Sequence, residues 1–222
     1  YASNLGDDNV LGSYLFTPDS NYHGNVPVVT YTVSDGQGGT ASATLTLSVN
    51  AAPVAVDDGL QTVQQGQSAS GNVLSNDASP DGNALSVTGF SINGIGGAFN
   101  AGDTVSIAGV GSLKLNADGT YLFTPLSTYH GDLPQVTYTL DDGHGGNASG
   151  HLSIRVNGTP LAANDSQSVQ QGHTASGNLL SNDSDTDGNP LSITGFSING
   201  IPGHFVPGST ATLPGVDAEA GD

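Results

Sequence analysis

The sequence predicts an all-β chain of tandem Greek-key β-sandwich repeats, each about 107 residues long, on three observations. Long segments recur at a fixed offset, short stretches alternate apolar and polar residues between Gly- and Asp-rich turns, and no segment sustains a helical period. Recurrence is the firmest of these. Tyr14-Leu15-Phe16-Thr17-Pro18 returns as Tyr121-Leu122-Phe123-Thr124-Pro125, and the same offset of 107 carries Tyr22-His23-Gly24 onto Tyr129-His130-Gly131, Val29–Thr32 onto Val136–Thr139, and Asn50 onto Asn157. A second set of matches runs at 106: Gln64-Gln65-Gly66 onto Gln170-Gln171-Gly172, Ser70-Gly71-Asn72 onto Ser176-Gly177-Asn178, and Leu85–Ile95 onto Leu191–Ile201. One residue deleted near Ser166 separates the two offsets.

The chain therefore divides into the C-terminal half of one repeat (1–50), one complete repeat (51–157) and the N-terminal half of a third (158–222). A period of this length is too long for a solenoid coil and suits an independently folding sandwich of about 100 residues.

Within the complete repeat the elements are expected in this order. A first strand starts after Pro53 and carries Asp57 and Asp58. The second strand ends at Leu74, and the loop Ser75–Asn83 follows. Ser112–Pro125 reads as a hairpin with Asn116-Ala117-Asp118-Gly119 at its turn. Val136–Leu140 and Ala148–Val156 alternate toward a core, joined by the turn Asp141–Gly146. Seven to nine strands are expected in all.

Composition narrows the function. The 222 residues carry a formal charge of -18 with only two basic residues, Lys114 and Arg155, so a nucleic-acid phosphate backbone finds no basic face. There is no Cys, which removes disulfides, thiolate metal sites and cysteine nucleophiles together. No apolar stretch approaches the roughly 20 residues that span a bilayer, so membrane insertion is not expected. Apart from Glu219, every acidic residue is Asp. Its short carboxylate suits turns and compact oxygen-ligand loops, and with so few cations to pair them these groups repel unless a metal neutralises some.

Four segments of the sandwich bear Asp residues of interest: the start of the first strand, the 75–83 loop, the 116–119 turn and the 141–146 turn. Sandwich topology collects these at one end, facing the preceding repeat. In the third repeat the loop reads Asn182-Asp183-Ser184-Asp185-Thr186-Asp187-Gly188-Asn189, with carboxylates at alternate positions ahead of a Gly. Calcium takes six to eight such oxygens in irregular geometry; magnesium prefers a stricter octahedron, and zinc would want His or Cys. The candidate metal ligands are Asp57, Asp58, Asp77, Asp81, Asp141 and Asp142, with Asp165, Asp183, Asp185 and Asp187 in the third repeat and Asp35 in the first. Ser79 stands where the third repeat has Asp185. Asp19 and Asn50 are candidate contributions from the preceding repeat. Asp118 reads as a hairpin turn former.

Pro53-Val54-Ala55-Val56-Asp57-Asp58, Val73-Leu74-Ser75-Asn76-Asp77 leading to Asp81-Gly82, Asn116–Tyr121 and Tyr138–Gly143 together resemble the cadherin-like and immunoglobulin-like extender repeats of large bacterial surface adhesins of the repeats-in-toxin type. The resemblance spans essentially the whole chain. It implies a secreted or cell-surface location, Ca2+ at repeat junctions stiffening the array, and a role in adhesion or biofilm formation by projecting a distal binding module toward a host surface or glycan. The Gly-Gly-x-Gly-x-Asp nonapeptide of that toxin class is absent here.

Two other classes compete. An enzyme would need a unique constellation, whereas almost every polar residue here is duplicated; His23 and His130 share one repeat position, which points to a structural loop role. A calcium-dependent polysaccharide-binding module would want exposed aromatics, and Tyr22 and Tyr129 are the aromatic residues to test. The two half repeats also suggest head-to-tail association between molecules.

Overall fold

The structure is a computed structural model and describes residues 12–210. The outer ends of the two half repeats, 1–11 and 211–222, lie outside the described residues. Every regular element described is a strand. Residues before Asn50 contribute β1 (Gly24–Asn25), β2 (Val29–Ser34), β3 (Thr40–Leu45) and β4 (Ser48–Val49). The middle repeat contributes β5 (Gln61–Gln64), β6 (Ala69–Asn72), β7 (Ser86–Ile92), β8 (Ile95–Asn100), β9 (Thr104–Ile107), β10 (Gly111–Leu115), β11 (Thr120–Pro125), β12 (Gly131–Asp132), β13 (Val136–Asp141), β14 (Asn147–Leu152) and β15 (Ile154–Asn157). After it come β16 (Pro160–Leu161), β17 (Ser184–Asp185), β18 (Phe196–Ile198) and β19 (Ile201–Phe205).

The middle repeat is a sandwich. One sheet has the order β6-β11-β10-β9 and another β14-β13-β7-β8, while β15 joins β12 and runs parallel to β5. The period-2 pattern explains which side chains meet. Tyr121 and Phe123 of β11 and Leu113 and Leu115 of β10 share one core with Val87, Phe90 and Ile92 of β7 and Val136, Tyr138 and Leu140 of β13. Alternate residues such as Lys114 and Leu122 face outward.

Both expected hairpins form. At the β10–β11 turn Gly119 has φ +81, and a Cβ there would run into Asn72 and Leu74, so the turn requires glycine. Three expectations change. Residues 53–60 are not a strand; their one ladder contact is an isolated bridge from Val54 to Ala78, and the first strand starts at Gln61. The second strand ends at Asn72, because Asn72 turns its side chain back to accept the Leu74 N–H at 2.8 Å. The long run 148–156 divides at Ser153 into β14 and β15, which pair with different neighbours and raise the strand count of this repeat to eleven.

The flanks reproduce pieces of the same plan. β2–β3 is the counterpart of β13–β14, β1–β4 of β12–β15, and β18–β19 of β7–β8. Residues 167–170 and 175–178, equivalent to β5 and β6, form no strand. The physical reason lies in the middle repeat, where β5 and β6 pair with strands of the back half, β15 and β11.

Candidate metal centre and repeat junction

Five Asp residues of the middle repeat fall into two groups. The first surrounds Tyr138, whose hydroxyl sits 3.1 Å from Asp77 Oδ2, 3.2 Å from the Val73 carbonyl and 3.3 Å from the Val56 carbonyl. Asp77 Oδ1 accepts the Val56 N–H at 2.7 Å. Asp57 Oδ1 lies 2.8 Å from His151 Nδ1 and accepts the His151 N–H at 3.0 Å, and the imidazole contact holds its carboxyl below the usual range. Asp58 differs from both. Its Oδ2 is enclosed and has no hydrogen-bond partner. Burial first, then the charges of Asp77 and Asp57, push its carboxyl up to about 6. Loss of solvent and the same Asp58 charge also drive the Tyr138 hydroxyl upward.

The second group faces the preceding repeat. Asp142 is 1% exposed. Its Oδ1 accepts the N–H groups of His144 and Gly146, each at 2.9 Å, and its Oδ2 accepts Asn50 Nδ2 from the linker at 2.6 Å. The Asn50 amide is the main cause of its lowered proton affinity. Asp81 gives one oxygen to the Ala51 N–H at 2.6 Å and the other to His23 Nδ1 at 2.7 Å, and these contacts, the backbone one foremost, depress its carboxyl too.

Most of the remaining candidates accept backbone N–H groups. Asp141 caps the Gly143 N–H at 2.6 Å. Asp35 accepts from Gln37 and Gly39, as Asp142 does from its own turn. In the third repeat Asp183 accepts the Ala163 N–H, Asp185 accepts those of Asp187 and Asn189, and Asp187 accepts that of Gly158. Asp165 is exposed. Asp118 closes its hairpin turn by accepting from Thr120. Asp19 lines a cavity of about 440 Å³ with Tyr22, His23 and Asn50. Among the described residues no three His, Asp or Glu side chains are gathered as ligands around one point. The alternating carboxylates of 183–187 thus diverge to separate N–H donors.

Asp57, Asp58 and Asp77 come nearest to such a set without being gathered around one point: Asp77 and Asp57 lie close enough to raise the proton affinity of Asp58, whose enclosed Oδ2 has no donor. Sequence reasoning ranked Asp58 no higher than its neighbours, since nothing in the pattern distinguishes the oxygen that the fold leaves unpaired. It missed His151, which meets Asp57, and Asn83 and Asn189, which donate to Asn50 and Asn157.

Residues 50–158 match the family described as bacterial cadherin-like domain, 5–50 a cadherin-like domain, and 157–216 a bacterial Ig domain. The calcium-binding lectin RapA2 of Rhizobium johnstonii is 27% identical over 177 residues, covering 74% of this chain and 75% of the lectin. A solved structure of a nucleoside hydrolase-related hypothetical protein from Saccharophagus degradans, associated with carbohydrate metabolism, aligns with 49% of this chain at 21% identity and a TM-score of 0.35; the chain spans 26% of that protein.

Proposed function

From a chain made of bacterial cadherin-like and immunoglobulin-like domains, we propose a non-enzymatic extender segment of an extracellular adhesin, its repeats stiffened by calcium. The observation that carries the calcium reading is the unpartnered, enclosed Asp58 Oδ2 beside Asp57 and Asp77. These three residues would hold the ion, and Asp165 and Asp183 are the counterparts of Asp58 and Asp77 in the third repeat. A bound calcium ion supplies positive charge that offsets the mutual repulsion of the three carboxylates. The protein's own part is to tie the 53–60 segment to the 75–83 loop through Tyr138, Asn76 and Asp77. The remaining Asp candidates act as turn and linker acceptors in this reading.

Calcium is expected to raise the thermal midpoint of the chain progressively with concentration, magnesium less so, and chelator to lower it. A midpoint unchanged at millimolar calcium removes the metal from the reading. Export to the cell surface and a contribution to biofilm belong to the same proposal and rest on the adhesin-like family.

The lectin relative favours a second reading, calcium-dependent glycan binding. Against it, the Tyr22 and Tyr129 hydroxyls each bond a carbonyl three residues on, and Tyr129 packs on the core. A glycan array probed with and without calcium separates the two, since the extender reading expects no bound sugar.

A further inference from the structure

We propose that successive repeats are held end to end by a polar clasp that needs no metal, in which the 75–83 loop of one repeat grips the linker and the His-bearing loop of the repeat before it. The clasp is seen twice. At the first junction Asp81 Oδ2 accepts the Ala51 N–H at 2.6 Å, His23 Nδ1 lies 2.7 Å from Asp81 Oδ1, and Asn83 Nδ2 donates to Asn50 Oδ1 at 2.9 Å. At the second, Asp187 Oδ2 accepts the Gly158 N–H at 2.5 Å, His130 Nδ1 lies 2.9 Å from Asp187 Oδ1, and Asn189 Nδ2 donates to Asn157 Oδ1 at 3.0 Å. The five residues of one set map onto the other through the repeat offsets, so the same three contacts recur between different pairs of repeats.

The chemistry explains why one short loop suffices. The linker N–H is a donor that a tight crossing between domains would otherwise leave without a partner, and a carboxylate is a strong acceptor for it. The second carboxylate oxygen is filled by a side chain from the body of the preceding repeat, so Asp81 fixes both the linker and the domain behind it. The Asn–Asn contact adds a bond whose donor and acceptor geometry sets the rotation about the linker. Asp142 reinforces the first junction by holding the other end of the Asn50 amide. The second is close-packed: a Cβ on Gly158 would collide with the Thr186 side chain, whereas the first junction has Ala51 and Pro80 at these positions.

The surface therefore fits a partner of one kind, the trailing end of a repeat that ends in this His and Asn. It acts independently of the calcium reading, because the clasp carboxylates are satisfied by N–H donors while the unpaired oxygen belongs to Asp58.

The chain contains no Cys, so spin labels on cysteines introduced at the exposed positions Ser42 and Lys114 report the distance between the first and middle repeats. Pulsed electron resonance on the full chain in chelator is expected to give one narrow distance distribution. The double substitution His23→Ala and Asn83→Ala should broaden it at least twofold, while His130→Ala with Asn189→Ala, acting at the other junction, should leave it narrow. A broad distribution in chelator that narrows only with calcium overturns the clasp and keeps the calcium reading. A distribution unmoved by His23→Ala and Asn83→Ala also overturns it. The calcium dependence of the thermal midpoint, read on the same samples, can fail or hold separately.

Discussion

Asp58 is the residue at which the fold bears an electrostatic cost. Its raised carboxyl, at about 6 against an ordinary 3.8, means that the folded chain binds its proton more tightly than the unfolded one. The protonated form therefore favours folding, and the contribution is full below about 3.8 and is lost as pH rises through about 6. In chelator, Asp58→Asn should raise the thermal midpoint at pH 7 and change it little at pH 4, so that the gain over the parent grows across that window. The same substitution should remove most of the midpoint shift that calcium produces. A variant that is no more stable in chelator, or that keeps the full calcium response, would place the ion elsewhere. Asp57, Asp81 and Asp142 behave in the opposite sense, each held below the ordinary value by donors.

At the scale of an element, the loop after the second strand shows what a side-chain oxygen does there. Ser79 Oγ accepts the Asn83 N–H at 3.2 Å, and Asp185, in the same place one repeat later, accepts the Asn189 N–H at 3.1 Å. Hydroxyl and carboxylate fill one role, so Ser79→Asp should be close to neutral while Ser79→Ala should cost about 1 kcal/mol in chemical denaturation, the worth of one such bond. A cost near zero for the alanine would show that the turn closes without it. This loop also marks the limit of what the sequence discloses. Gly119, the Asn116–Asp118 turn and the alternation through Val136–Leu140 carry their structure locally, and the hairpins could be read from them. Alternating Asp residues ahead of a Gly are equally suited to a cation and to a row of backbone donors, and only the path of the chain decides which they meet. The clasp was hidden for a related reason: His23 and Asp81 are 58 positions apart, and recurrence of Tyr-His-Gly marked the His as structural without showing that it reaches into the next repeat.

For the whole molecule, the flanking halves show the faces that the middle repeat buries. Tyr31 is 49% exposed where Tyr138 is at 0%, and Ile193 is 37% exposed where Val87 is at 2%. In the middle repeat β13 pairs with β7, placing Tyr138 opposite Phe90 and Leu140 opposite Val87. The equivalent match would set Tyr31 against Phe196 and Val33 against Ile193. The pairing of β13 with β7 is thus what encloses these side chains in a repeat that has both halves. The clasp has a different consequence at this scale, one that concerns inheritance more than stability. Because the leading end of each repeat reads the trailing end of its own kind, a gene that gains or loses whole repeats by unequal crossing-over creates no unmatched seam. The number of repeats can then vary between lineages without any new surface having to evolve, and a chain carrying residues 51–157 twice should fold with one more working joint.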